Sequence, residues 1–453
     1  MMPAAHALGA RSKGDRMMIR RVLTLALATL VALPVASFAQ SQKLAHLLPT
    51  LYGSQGQIVD SAAPLPDGST HSAHFNNAFH SRFTQFNAAL ASQISALPLP
   101  APSSGFTYTM DPSLGVFTRS TQSFGPIMVE RAETVGKGKV AAGFAVQRFS
   151  FDSIEGIDLA ALPAVFTHDD AAAGGRADVV TTSSDVQASI TQQTAFVTYG
   201  LGERFDASLA VPFVIADLSV TSTATVQRLG TGSNTIVHYY DSGSGGVGST
   251  RQYLSSGRAS GLGDLTLRLK GQAARWGGGN GLAFALDVRM PTGDEENLLG
   301  AGAWGMRPFA AASLGLGRFS PHVNLGYQWN GESLLAGNVV TGESQDLADE
   351  LAYAFGADFA AGQRLTLCVD LVGRYVIDSS RIAESTFVGL DAAATRFSDI
   401  RFDEGSYNQS SLALGFKANP AGRLLVVFNV LLKLDDHGLR DSVTPLLALD
   451  YTF

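Results

Sequence analysis

Residues 443–453 read Val443-Thr444-Pro445-Leu446-Leu447-Ala448-Leu449-Asp450-Tyr451-Thr452-Phe453, and their alternation decides the fold. On a strand, successive side chains point to opposite faces. Val443, Pro445, Leu447, Leu449, Tyr451 and Phe453 therefore share one apolar face, while Thr444, Leu446, Ala448, Asp450 and Thr452 share a face with a carboxylate and two hydroxyls. Lipid on one side and water on the other would account for such a strand.

Outward from this strand, the same alternation recurs in segments long enough to cross a membrane at a tilt. The segments are 139–151, 187–200, 204–228, 261–275, 281–293, 304–316, 319–332, 347–360, 363–378, 408–420, 423–436 and 441–453. In the clearest, Leu282, Phe284, Leu286, Val288 and Met290 oppose Ala283, Ala285, Asp287 and Arg289. Val323, Leu325, Tyr327 and Trp329 oppose His322, Asn324 and Gln328, with both aromatics at one end, where a headgroup girdle would lie. The expected fold is all-β: a transmembrane antiparallel up-and-down β-barrel of twelve strands.

The connections alternate in length. Those at 201–203, 276–280, 317–318, 361–362 and 421–422 are tight, and Gly recurs in them. Those at 152–186, 229–260, 294–303, 333–346 and 379–407 are long and polar, which places both termini on the periplasmic side of an outer-membrane barrel.

The N-terminus agrees. Arg20 and Arg21 precede an apolar run from Val22 to Leu33, and Ser37-Phe38-Ala39 supplies the small residues of a signal-peptidase site, so residues 1–39 read as a signal peptide cleaved after Ala39. A start at Met17 or Met18 would set the two arginines directly behind the initiator. Residues 1–39 hold five of the 32 Lys+Arg and one of the 39 Asp+Glu, leaving a mature chain with 27 bases against 38 acids. That balance excludes nucleic acid as a partner. Cys368 is the single cysteine, so no intramolecular disulfide can form. After the signal, no run approaches the roughly 18 apolar residues of a membrane-spanning helix.

Residues 40–138 precede the barrel (139–453) and read as a periplasmic extension. Within it, Phe75, Phe79, Phe83, Phe86, Leu90, Ile94 and Leu97 recur at helical spacing until Pro98 and Pro100, predicting an amphipathic helix over 74–97 that plugs, caps or flanks the barrel. Phe106–Met110 and Val116–Arg119, separated by Asp111-Pro112, read as a hairpin; if it joins the sheet, the barrel has fourteen strands.

The final aromatic, after apolar residues at every second position, resembles the terminal strand of bacterial outer-membrane barrels. This implies recognition by the outer-membrane assembly machinery through Tyr451 and Phe453. The stretch Ser123-Phe124-Gly125-Pro126, Glu130-Arg131-Ala132, Gly136-Lys137-Gly138-Lys139, Gly143-Phe144 and Phe149-Ser150-Phe151 resembles the phenol-degradation (MetA-pathway) outer-membrane transporter family. The similarity continues through Gly261-Leu262-Gly263-Asp264-Leu265 and Met290-Pro291-Thr292-Gly293-Asp294. It implies passage of hydrophobic or aromatic compounds across the outer membrane, and no catalytic residues. The helical stretch before Pro98 departs from the simplest members.

The candidate lumen-lining residues are Asp206, Asp264, Arg268, Lys270, Asp287, Arg289, His322, Asp358, Asp370, Arg374, Lys417, Lys433 and Asp450. Charge rings of this kind tune which solutes pass. The plainer alternative is that opposite charges on neighbouring strands pair and fill a narrow bore, and the small diameter of twelve strands favours it.

Gly243-Ser244-Gly245-Gly246-Val247-Gly248 has the glycine spacing of a dinucleotide fingerprint but lacks the following helix that would meet a pyrophosphate, so it reads as loop. His71, His74 and His80, and His168 with Asp169 and Asp170, lack zinc-site spacing. Cys368 reads as a small packed residue. Neither metal nor cofactor is implied.

The expectation is an outer-membrane channel or facilitator, not an enzyme, for small hydrophobic or aromatic molecules. Its partners are the lipid bilayer, the assembly machinery and a small-molecule solute, which would first meet Val165, Phe166, Tyr239, Tyr240 and Tyr253 among the loops. A structural or adhesive barrel, and an outer-membrane hydrolase centred on His322, are the alternatives.

Overall fold

The computed structural model describes residues 42–53, 57, 59, 84–96, 108–111, 116–119, 122–167, 178–229, 238–241, 247–277 and 279–453, with backbone alone for 84–85, 108–111, 116–119 and 247. The signal-peptide reading, the histidines at 71, 74, 80 and 168, and most of the glycine-rich stretch lie outside these residues.

Twelve antiparallel strands close on themselves. They are β1 (Val140–Phe151), β2 (Val179–Gly200), β3 (Phe205–Gln227), β4 (Leu265–Gly277), β5 (Asn280–Met290), β6 (Gly305–Ser313), β7 (Phe319–Asn330), β8 (Glu350–Ala360), β9 (Leu365–Val388), β10 (Arg396–Ala421), β11 (Leu424–Lys433) and β12 (Val443–Thr452). Each pairs with its sequence neighbours, and β12 closes on β1 from Leu446↔Gln147 to Thr452↔Ala141. The seam ends with Phe453 N–H donating to the Val140 carbonyl at 2.7 Å. Closure leaves no strand edge facing lipid, where an unpaired amide would be costly.

Residues on β12 alternate between exposed and buried along its whole length, as the sequence predicts. Leu267, Leu269, Phe284, Val323, Leu325, Phe355, Leu367, Val369 and Phe428 all point outward and are exposed. Each would cost about 1.5–3 kcal/mol in water, so the wall is built for lipid.

Among the described residues the hairpin Tyr108–Asp111 with Val116–Arg119 pairs only with itself, so the barrel has twelve strands and not fourteen.

The long connections hold more strand than the alternation predicts. β2 begins at Val179, inside the predicted 152–186 loop, and β9 and β10 reach into 379–407. Thr250–Leu262 pairs with the outer part of β3, and Leu162–Phe166 with β2. Beyond the lipid, neither strand face needs to be apolar, so Ser- and Thr-rich stretches such as 181–185 pair in the ladder without the alternation that marks the rest.

These extensions enclose an apolar core that includes Leu44, Leu47, Leu48, Tyr52, Phe86, Leu90, Phe166 and Tyr240. Phe166 and Tyr240 are therefore buried, Val165 nearly so, and Tyr253 packs against the cluster; they are not the open apolar surface expected of them. The Tyr52 hydroxyl lies 2.9 Å from Ser222 Oγ, and the Tyr52 ring meets Phe166 and Tyr253 edge-on at 5.2 and 4.9 Å. Lys43 pairs with Asp294 at 2.7 Å. Residues 43–52 thus sit at the long-loop end, whereas the sequence places the whole of 40–138 on the short-turn, periplasmic side.

Candidate functional site: an occupied bore

Two pieces of the N-terminal region occupy the bore. The first is an extended segment over Ser123–Lys137 near the short-turn end. An extended strand alone in a barrel has amides and carbonyls without ladder partners, and these must be satisfied by the wall. The Ile127 and Met128 N–H groups donate to Asp370 Oδ2 at 3.2 and 2.8 Å. Val135 N–H donates to Asp206, and Ala132 N–H to Ser313 Oγ. Asn324 makes a reciprocal pair with the backbone of Glu130, both bonds at 2.7 Å. From the cationic side, Lys417 Nζ donates to the Pro126 carbonyl and Lys270 Nζ to the Glu133 carbonyl, each at 2.6 Å. The segment leaves the bore past Gly200, where a Cβ would stand 1.9 Å from the Gly136 carbonyl oxygen, so only glycine fits.

The second piece is helix α1 (Thr84–Ser95), near the long-loop end, where Phe86, Leu90 and Ile94 are buried along one side as their spacing predicts. The predicted 74–83 portion lies outside the described residues. The last carbonyls of a helix lack intrahelical donors and carry the negative end of its dipole. Arg374 Nη1 donates to the Ser92 carbonyl and Arg289 Nη1 to the Ser95 carbonyl, both at 2.7 Å. Arg374 is held in turn by Glu350 at 2.7 Å and Gln409 at 2.6 Å.

Between the two pieces lies a cavity of about 260 Å³. Its walls mix Met128, Phe149, Phe309 and Val372 with Arg268, Asp287, Arg289, Arg307 and Glu350. Room comes partly from Gly326, opposite Phe309 in the ladder, where a Cβ would strike the Phe309 Cβ at 2.6 Å. Beside the cavity the wall itself is interrupted. β6 pairs with β7 at Gly305–Met306 and again from Phe309, but not at Arg307 and Pro308, which stand opposite Gln328 and Tyr327. Proline has no N–H to give to a ladder.

The predicted inward charges divide by task. Arg268 and Asp287 do pair across β4 and β5, with contacts of 2.6 and 2.8 Å, as the charge-pairing alternative predicts. Lys270 and Asp206 also pair, at 3.8 Å across β4 and β3; with Asp370, Lys417 and the Arg268 bond to Glu130 they hold the interior segment, and Arg289 and Arg374 hold the helix. Asp264 accepts the N–H groups of Gly293 and Ala301 and so braces the connection between β5 and β6. Lys433 reaches the rim, pairing with Asp152 and Asp436. Asp450 faces inward opposite Gly143.

His322 stands between Ser313 Oγ at 2.8 Å and Asp358 Oδ2 at 3.2 Å, the residue types of a hydrolytic triad. All three are buried, and Ser313 Oγ is occupied by the Ala132 N–H, so a substrate carbonyl has no approach to that hydroxyl. Cys368 is buried, its thiol directed at the Gly125 carbonyl, as a packed residue should be.

Thr366 Oγ1 accepts the Phe124 N–H at 3.0 Å; it, Arg307, Ser313 and Glu350 are site residues that the charge and alternation pattern does not single out. Arg307 and Phe309 share the inward register of β6, but Pro308 and the run Ala310-Ala311-Ala312 blur the alternation there.

No curated protein matches the chain. Among solved structures, the COG4313 outer membrane channel from Pseudomonas putida F1 is similar at 14% identity and a TM-score of 0.38, covering 71% of this chain and 98% of that one. A Pseudomonas aeruginosa FadL homologue is similar at 10% identity and a TM-score of 0.32, covering 80% and 97%. The Ralstonia pickettii toluene transporter TbuX is similar at 10% identity and 0.26, covering 70% and 91%. At such identities and TM-scores none of these likenesses bears on the chemistry of the bore. The family model for the MetA-pathway of phenol degradation matches residues 168–397, just over half of the 453-residue sequence, and the chain belongs to that family.

Proposed function

We propose that the protein is an outer-membrane facilitator for small hydrophobic or aromatic molecules, exported by the leader at 1–39, with the cavity as its way station and α1 and Ser123–Lys137 as its interior stoppers. The observation that carries this reading is the cavity itself, part apolar and bounded by both interior pieces, inside a wall whose outer face suits lipid. Phenol degradation, the theme of the family, calls for entry of aromatic compounds.

Magnitudes choose the route. Hydrogen bonds to charged groups contribute about 1.5–3 kcal/mol each, so freeing the segment from Asp370, Asp206, Lys270 and Lys417 would cost on the order of 10 kcal/mol. At Pro308 the ladder lacks one N–H, so parting β6 from β7 there breaks fewer backbone bonds than elsewhere in the wall. Solute therefore enters from the loop side, rests in the cavity and leaves sideways into the membrane between β6 and β7. Labelled toluene uptake by a deletion strain, with and without the gene restored, tests the function: restoration should raise uptake, and no difference across aromatic solutes would remove the proposal.

A further inference from the structure

The cavity wall carries five arginines and five carboxylates, and among the described residues Arg307 is the arginine with the fewest hydrogen bonds. Arg307 Nη2 donates to Asp287 Oδ2 at 2.6 Å, and among the described residues this is the one hydrogen bond of its guanidinium. Asp287 is also clasped by Arg268 at 2.6 and 2.8 Å, and Arg268 has a second carboxylate in Glu130 at 2.6 Å, whereas Arg307 has Asp287 alone. Arg289, two strand positions from the same spot across Gly305, is bonded to neutral oxygens of Ser95 and Asn330, with Asp264 as far as 4.0 Å. The other guanidiniums are sealed: the Arg268, Arg289 and Arg374 side chains are 11%, 8% and 9% exposed, against 34% for Arg307. Arg307 is thus the one of these four that offers unspent donors to the cavity.

The surface beside it is apolar. The Phe309 ring lies 5.7 Å from the Arg307 guanidinium carbon and 5.0 Å from that of Arg268, with Met128 and Phe149 on neighbouring walls. A planar guanidinium edge next to an aromatic face matches a carboxylate attached to a hydrocarbon body. The volume of about 260 Å³ falls below the roughly 300–1,000 Å³ of pockets for drug-sized ligands, which limits the body to about one ring with a short chain.

We propose that the cavity selects small aromatic carboxylates, the head on Arg307 and the ring against Phe309. The inference rests on the facilitator reading, since it names the solute that the way station holds best. A neutral analogue of the same shape leaves the Arg307 donors unspent and binds more weakly.

The test uses the full mature protein in lipid nanodiscs at neutral pH, with labelled phenylacetate and 2-phenylethanol in equilibrium binding. Phenylacetate should bind about tenfold or more tightly, the effect of one charge-assisted hydrogen bond. Arg307→Gln should remove most of that preference, and Arg307→Lys should keep part of it; Asp287 retains Arg268 in both, and heat-modifiable gel migration confirms that each variant is folded. Equal binding of acid and alcohol to the wild type, or an undiminished preference in Arg307→Gln, would overturn the proposal. Toluene uptake into proteoliposomes is scored separately: uptake without acid preference sinks only this inference, and acid preference without any uptake sinks the facilitator reading.

Discussion

Asp370 Oδ2 accepts the Met128 N–H at 2.8 Å, so this oxygen of a carboxylate projecting from the barrel wall is spent on the protein's own backbone and not on a passing solute. The same oxygen also takes the Ile127 N–H. Asp370→Ala deletes both bonds, worth about 1.5–3 kcal/mol each, and loosens the segment without touching the lipid face. Ion conductance in planar bilayers should rise severalfold while heat-modifiable migration stays that of a folded barrel. An unchanged conductance would mean that the segment does not limit the bore.

Pro308 should act as the gap in the wall. Pro308→Ala restores an N–H opposite Tyr327 and permits a ladder bond worth about 1 kcal/mol. The variant should resist thermal unfolding slightly better and take up toluene several times more slowly. Faster or equal uptake would exclude a route between β6 and β7.

Arg374 ties the helix end to Glu350. Arg374→Ala leaves Glu350 buried without its cation and frees the Ser92 carbonyl, a change that typically costs about 3–5 kcal/mol. The urea midpoint of the purified protein should fall accordingly, and Arg374→Lys should recover part of it. A loss near zero would show that α1 is not held by this contact.

The rim carries a pH response. Burial raises the Asp294 carboxyl, but bonds from Lys43 and Asn297 outweigh burial and hold it below its ordinary 3.8. A depressed carboxylate stabilises the folded form above its unfolded pKa, and that contribution is lost as pH falls through the folded one. Hydrogen-exchange protection at 44–52, taken relative to the intrinsic rate at each pH, should therefore be unchanged from neutral pH down to about pH 4 and fall below it. In Asp294→Asn the acid step should vanish; a step of the same size there would assign it to other groups.

The wall was legible because lipid imposes a strict rule: every second residue is apolar wherever the chain crosses it, and Leu282 to Met290 obey without exception. The rule lapses where lipid stops, which is why Val179–Val186 and Ser379–Val388 read as loop although they are paired strand. In the bore, alternation says that Asp370 and Lys417 face inward but not what they face. Their partners are main-chain groups, and a backbone amide leaves no side-chain signature. Ser123 to Lys139, which carry the family resemblance, include the segment that those side chains hold.

The central claim is that solute passes the wall while the interior segment stays in place. A Cβ at Gly281 would lie 3.3 Å from the Ala132 Cβ, close to the roughly 3.8 Å of a disulfide. In a Cys368→Ser background, Ala132→Cys with Gly281→Cys can lock the segment to β5, and toluene uptake into proteoliposomes is then compared before and after reduction. The account predicts the same uptake in both states. Uptake that is absent while the disulfide is closed and returns on reduction would contradict it.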